Sequence, residues 1–476
     1  MGKNQKNQKK TSGKKVLGWI AGILAAVIVL GLVAFSFLND SGFFIRRTPV
    51  MTTESCEVDQ AMLTYYTYVA YIGFLNTYYE YVSAFGLNTG LSLKAQTIPN
   101  SKTTWFENFE NTAVSEVTTI LVYAEAAKAE GLELTEEQRQ EIEDEMTAIA
   151  ESEKEYGSKI GSTIGSMTGV PGLTHEDIRR CLELNALAYA YNEKLVDSFE
   201  YDDAAIGAYF NEHLKELTTI DFMMYTVKAE LPDQTAENYE EEKARLEEEA
   251  KAKAADLATC TTTEAFTAWI TAELTAAGKT EEEIKTAIDT ATKTDIEYEA
   301  ENAFCDWAFS TERSASDVYV SETGLTVYLL TKAPERDETP SDATVHALTF
   351  DTEEKANEAL AAFEAGEKTA EAFEAIAEIN EITNSKFEGI TASSTTLDSA
   401  VIDWVFSDEC ANGAYKIVAL EKTWCLVFVD EISDVAVWKA DAKNAMVSED
   451  VEAAFEKLEE KYPVTIDYDA VRKLAI

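Results

Sequence analysis

Asp306-Trp307-Ala308-Phe309-Ser310 returns 97 positions later as Asp403-Trp404-Val405-Phe406-Ser407. The surroundings repeat too. Each copy is followed by a polar stretch and an apolar strand-like run, Thr326 to Thr331 and Trp424 to Val429. Each is preceded by a Glu-Ala-Phe helix signal, at Glu264-Ala265-Phe266 and Glu371-Ala372-Phe373. Further upstream stand the β-rich runs Ile220 to Val227 and Thr344 to Phe350. A motif that recurs with its neighbours predicts a duplicated domain of strand, helices, Asp-Trp-x-Phe-Ser and closing strand. The Trp and Phe, flanked by Ala308 or Val405, read as core anchors ahead of each closing strand.

Outside the repeats the pattern is helical. Tyr65, Tyr68, Tyr71, Leu75, Tyr78 and Val82 fall at three- and four-residue steps, one face of a helix. That Tyr stripe is either core or a client-binding groove, because Tyr offers apolar area with a polar tip. A second helix follows Trp105, and Gly131 is placed to end it in the left-handed region. Thr135 with Gln138 is a capping box for the next helix, and Thr174 caps another. The five glycines and Pro171 between Gly157 and Gly172 predict a loop or hinge. A last helix, Ser448 to Lys461, carries Val451, Ala454, Phe455 and Leu458 on one face, which must bury itself elsewhere in the chain.

Charge separates the chain into two parts. Of 40 Lys+Arg and 87 Asp+Glu, residues 1–50 hold eight and one, so the remainder carries a net of about −54. Such a surface repels nucleic-acid phosphates and keeps the body soluble. Val16 to Leu38 is an uncharged run of 23 residues behind Lys3, Lys6, Lys9, Lys10, Lys14 and Lys15. It is long enough to span about 30 Å of hydrocarbon, with the basic tail held in the cytoplasm. A cleavable signal peptide has a shorter apolar core of about 7–15 residues, so an uncleaved single-pass anchor in the cell membrane is expected. The six cysteines form no close pair and read as small buried apolar residues. No spacing points to a metal or a cofactor. Gly278-Lys279-Thr280 resembles the end of a phosphate loop but lacks its first glycine.

These segments together resemble the SurA/PrsA type of exported foldase. Trp105, Ala113, Tyr123-Ala124-Glu125-Ala126-Ala127, Gly131 and Leu134-Thr135-Glu136-Glu137 resemble its N-terminal helical domain. Val345-His346-Ala347-Leu348, Phe373 with Ile376-Ala377, Phe406-Ser407, Gly413 and Trp424-Cys425-Leu426-Val427 resemble a parvulin domain. The resemblance implies an α+β protein: transmembrane helix, all-helical chaperone lobe, two tandem parvulin-like domains, and a C-terminal helix packing back on the lobe. The expected divisions are 1–15 basic tail, 16–38 anchor, 39–54 linker, 55–216 helical lobe, 217–334 and 342–433 the parvulin-like repeats, and 434–476 the C-terminal segment.

Parvulins rotate X-Pro bonds with two facing histidines, a nearby Cys or Asp and a glycine-rich turn. In this chain His346 takes the first histidine position and Cys425 stands at the second. Leu397, Val401 and Phe406 take the substrate-binding positions. The glycine-rich turn is reduced to Phe387-Glu388-Gly389-Ile390, and the first repeat has no histidine on either strand. The expected function is therefore a membrane-anchored extracytoplasmic chaperone for unfolded, newly exported polypeptides, with catalysis mostly lost. Two alternatives remain: an active isomerase acting through the second repeat, and a non-enzymatic surface assembly protein.

Overall fold

The computed structural model describes residue 43 and residues 48–231, 238–383 and 385–475. The expected anchor, Val16 to Leu38, lies outside the described residues. Among the described residues no helix is long and apolar enough to cross a membrane. The chain divides into two compact units, residues 1–200 with 449–476, and residues 201–448.

The first unit begins with strands β1 (Pro49–Thr52) and β2 (Glu57–Asp59), which lead into helix α1 (Gln60–Tyr78). Asp59 caps α1 by accepting from Met62 N–H, and its other oxygen takes Arg180 at 2.6 Å. After a stretch with two short 3-10 turns come α2 (Trp105–Ala129), α3 (Glu136–Tyr156), α4 (Ile160–Thr168) and α5 (His175–Asp197). Thr104, Thr135 and Thr174 each form a complete capping box, satisfying two otherwise unpaired N-terminal donors. Gly131, at φ 72°, closes α2 as Leu132 N–H reaches back to Ala127 O.

Helix α4 corrects one expectation. Its glycines are there for contact rather than flexibility. A Cβ on Gly161 would sit 2.2 Å from Leu173 O, and one on Gly165 would sit 3.3 Å from Pro171 Cα. The returning chain lies against the helix where side chains are missing. The lobe is also less uniformly helical than its periodicity implies, because residues 79–104 are mostly irregular.

The second unit opens with α6 (Asp203–Glu212) and the single turn α7 (Leu214–Leu217). Repeat 1 follows: β3 (Ile220–Thr226), α8 (Tyr239–Leu257), α9 (Thr263–Ala276), α10 (Glu281–Ala291), β4 (Thr292–Ile296), α11 (Ala303–Ala308), β5 (Val318–Val320) and β6 (Thr326–Lys332). Repeat 2 runs β7 (Ala343–Phe350), α12 (Glu353–Ala365), α13 (Ala370–Ile379), β8 (Lys386–Ile390), α14 (Ser399–Val405), β9 (Tyr415–Ala419) and β10 (Trp424–Ile432). Both sheets have one strand order, β4-β3-β6-β5 and β8-β7-β10-β9, and every pairing in them is antiparallel. The first strand therefore lies beside the last in each, and the near-continuous burial of β7 and β10 fits central strands covered on both faces. The protein is mixed α+β with three small sheets.

The repeated motif lands on α11 and α14. Phe309, Trp404 and Val405 are buried, and Trp307 and Phe406 are partly buried against the cores beside them. Helix α15 (Val437–Lys461) begins eleven residues before the predicted start at Ser448. Its Phe455 and Leu458 pack into the core of the first unit, with the Phe455 ring 5.2 Å from that of Tyr123. The chain then adds β11 (Thr465–Ile466) to the edge of β1 and ends in α16 (Tyr468–Ala475). Gln60 Nε2 donates to Ala470 O at 2.8 Å, tying α16 to the start of α1.

Candidate functional site

The residues at the parvulin-like positions come from four places in repeat 2: β7, β10, α14 and the loop before α14. The register of the central strands decides which of them meet. His346 lies opposite Phe428, and Cys425 lies opposite Thr349. Phe428 and Cys425 are an odd number of residues apart, so their side chains leave opposite faces of the sheet. His346 belongs to the face covered by α12 and α13, with Leu348, Phe350, Phe373, Leu426 and Phe428. Cys425 belongs to the face covered by α14, with Val345, Ala347, Val427 and Val429. The sheet itself separates His346 from Cys425.

The structure does bring Cys425 together with Leu397, Val401 and Phe406. Val401 is buried and the other two are half-buried against the same apolar cluster. The thiol of Cys425 is held neutral: burial pushes its pKa up, and the one nearby hydroxyl, Thr349 Oγ1, donates at 3.9 Å. Among the described residues no cation faces it closely enough to favour a thiolate, which is the form that attacks.

His346 is fully buried, and neither ring nitrogen has a hydrogen-bond partner. Its ring lies 5.9 Å from Phe373 and 6.0 Å from Phe428, centroid to centroid. The nearest carboxylate oxygen, Glu374 Oε1, is 3.9 Å from Nδ1, too far for a hydrogen bond. Desolvation lowers the imidazole pKa more than Glu374, Asp430 and Glu371 raise it. The ring is thus a neutral member of an aromatic core, and it offers no proton path to a substrate on the α14 face.

A second surface, in the first unit, starts at Tyr78 of the expected stripe and extends past it to residues the sequence reading did not single out. Most of the expected Tyr stripe is core: Tyr71 and Val82 are buried, Tyr65, Tyr68 and Leu75 are half-buried against it, and Tyr78 is exposed. Beyond the end of α1 the aromatics emerge. Tyr79 is 81% exposed, Tyr81 62% and Leu91 52%, with Tyr78 and Phe85 above 40%. Tyr78 and Phe85 stand on an aromatic base in which the Phe74 ring meets both of them, Trp105 and Phe109 at 5.1 to 5.7 Å. Soluble proteins rarely leave contiguous large apolar side chains in water without a use for them. A signal was present. Between Asp59 and Lys94 the chain carries one charged residue, Glu80, in a sequence that is otherwise 27% charged.

Among the described residues no group of His, Cys, Asp and Glu could hold a metal ion, and all six cysteines are free thiols. No protein-family profile matches the chain, and no curated protein matches it. Among solved structures, the foldase protein PrsA from Lactococcus lactis aligns at 11% identity over 90% of this chain and 97% of its own, with a TM-score of 0.23. The foldase protein PrsA from Streptococcus pneumoniae aligns at 13% identity over 79% of this chain and 97% of its own, also at 0.23. Scores this low mark these proteins as ones the chain is similar to and carry no further argument.

Proposed function

We propose that this protein is an extracytoplasmic chaperone of the SurA/PrsA kind, held to the membrane by Val16 to Leu38, that binds unfolded exported polypeptides without turning over X-Pro bonds. The observation that carries the binding reading is the exposed aromatic surface of Tyr78, Tyr79, Tyr81, Phe85 and Leu91. Unfolded chains expose apolar side chains, and Tyr and Phe cover them with large area and few rotors to immobilise. The strongly acidic remainder of the body supports the same reading by keeping the loaded complex soluble. Leu397, Val401 and Phe406 would then be the residue of a proline pocket, retained for packing.

Loss of catalysis is the finer part of the proposal. Uncatalysed rotation faces a barrier of about 18–20 kcal/mol, and lowering it requires polar groups around the twisting amide. His346 and Cys425, on opposite faces of one sheet, cannot both surround it. The full chain in lipid nanodiscs is expected to suppress aggregation of a chemically denatured client, and Tyr79→Asp with Tyr81→Asp to weaken that suppression severalfold. Absence of suppression by the native chain at molar excess, or no difference in the double variant, refutes the binding reading. Accelerated cis–trans exchange in a Pro peptide that His346→Ala abolishes refutes the non-catalytic one.

A further inference from the structure

The two repeats differ by one element. In repeat 2, α13 leads directly into β8, whereas in repeat 1 the helix α10 is inserted between α9 and β4. Thr280 caps α10 with a full capping box, so the insertion carries its own helix start. Its apolar residues are only partly covered: Ala291 is buried, but Ile284, Ala287 and Ile288 are half-buried.

Beside α10 the sheet is incomplete. Strand β4 pairs with β3 from Ile220↔Ile296 to Met223↔Thr292 and then gives way to the helix, while β3 continues to Thr226. Val227 N–H donates to Leu325 O at 2.9 Å, toward β6. Backbone groups alternate sides along a strand, so the N–H and C=O of Thr226 face away from β6, where no strand lies opposite among the described residues. Between this open edge and α10 runs a groove of about 780 Å3, walled by Met224, Tyr225, Leu274 and Ala287.

The rim of the groove departs from the rest of the surface. Lys228, Lys279 and Lys293 stand around it in a chain of net charge −47. Lys279 is paired with Glu283 at 2.9 Å, but Lys228 and Lys293 have no ion-pair partner among the described residues. Glu282 is the one other acid at the rim. Open backbone groups, an apolar floor and two unpaired cations match the parts of a strand-addition site: main-chain hydrogen bonds for affinity and pockets and charges for selection.

We propose that this groove of repeat 1 binds a short extended polypeptide segment as an added strand beside Met224 to Lys228, selecting apolar residues flanked by Asp or Glu. The site is separate from the aromatic surface of the first unit and does not rest on it. It gives the inserted helix a purpose: α10 supplies one wall of a groove that repeat 2, with no helix between α13 and β8, does not build this way.

The test uses the full chain in nanodiscs and a fluorescein-labelled capped heptapeptide, Asp-Val-Thr-Val-Thr-Val-Asp, read by anisotropy. Saturable binding is expected. N-methylation of alternate amides, which removes strand pairing and keeps the side chains, is expected to weaken it at least tenfold on one of the two faces. Replacing both Asp by Lys, or the protein's Lys228→Glu with Lys293→Glu, is expected to weaken it at least fivefold. Ala287→Trp fills the groove and abolishes binding, while hydrogen exchange in β3 and β6 reports that the sheet is intact. Tyr79→Asp with Tyr81→Asp leaves peptide binding unchanged. The proposal is overturned if no binding is detected at about 1 mM peptide, the weak limit of a specific site. Equal binding of both N-methylated peptides, or undiminished binding after either groove substitution, overturns it equally.

Discussion

Glu110 is a carboxyl that the first unit holds in its protonated form. It lies on α2, is 4% exposed, and its Oε1 has no hydrogen-bond partner. Burial pushes its pKa up to about 8, against a smaller opposing pull from Lys94. In the unfolded chain the same group titrates at about 4.5. The folded state therefore keeps a proton that the unfolded state loses. Stability is fully present below about 4.5 and is lost as pH rises toward the folded value of about 8. Each pH unit within that window is worth about 1.4 kcal/mol, and the curves flatten near each end. Raising pH from 5 to 8 should thus cost this unit about 3 kcal/mol through Glu110 alone. Glu110→Gln has no proton to lose and should abolish that slope. Glu110→Met, similar in volume and without donors, should do the same. Both should exceed the native chain in stability at pH 8 and differ from it much less at pH 5. Because a chain of several domains does not unfold in one step, the readout is native-state hydrogen exchange of Trp105–Ala129 peptides, corrected for the intrinsic pH dependence. An unchanged pH slope in both variants, or lower protection than native at pH 8, refutes the account of Glu110 as a buried neutral acid.

His346 should act in the opposite direction and in repeat 2. Its folded pKa is lowered, so the unfolded state takes up the proton first and stability falls as pH drops below about 6.5. The carboxylates around it, Glu374 and Glu371 on α13 and Asp430 on β10, only partly offset that loss, and Lys386 on β8 adds to it. His346→Phe should remove the acid slope from exchange in β7, and persistence of the slope would exclude His346 as its source. Cys425 should resist iodoacetamide at pH 8 long after the half-exposed Cys260 and Cys410 have reacted. Preferential labelling of Cys425 would reveal a thiolate and reopen thiol chemistry at the α14 face.

Much of the fold was legible because its signals are local. The strands Ile220–Thr226 and Ala343–Phe350 end within a residue of the predicted runs, since short apolar runs bounded by polar residues announce themselves in sequence. Capping boxes at Thr135 and Thr174 need only residues three apart. The glycines of α4 misled because Gly signals equally a flexible link and a close approach. The contact that decides between them is made by Pro171 and Leu173, on the chain returning past the helix. The pairing of β11 with β1 was illegible, because nothing in a two-residue strand names a partner more than 400 positions away.

The sequence by itself determined that a motif recurs with its neighbouring strands and helices, that its Trp and Phe are apolar anchors in both copies, and that the body is acidic while residues 1–50 are basic. Composition and short-range periodicity carry all of these. Only the tertiary structure decided what the candidate residues can do. His346 and Cys425 occupy adjacent strands, but register is a long-range property, and an offset of one residue turns every side chain to the other face. That register puts the histidine among Phe373 and Phe428, and puts the cysteine with Leu397, Val401 and Phe406. The same holds for exposure. The Tyr-rich run from Tyr65 to Tyr81 is one composition, and packing against α2 and α5 divides it into a core and an exposed surface.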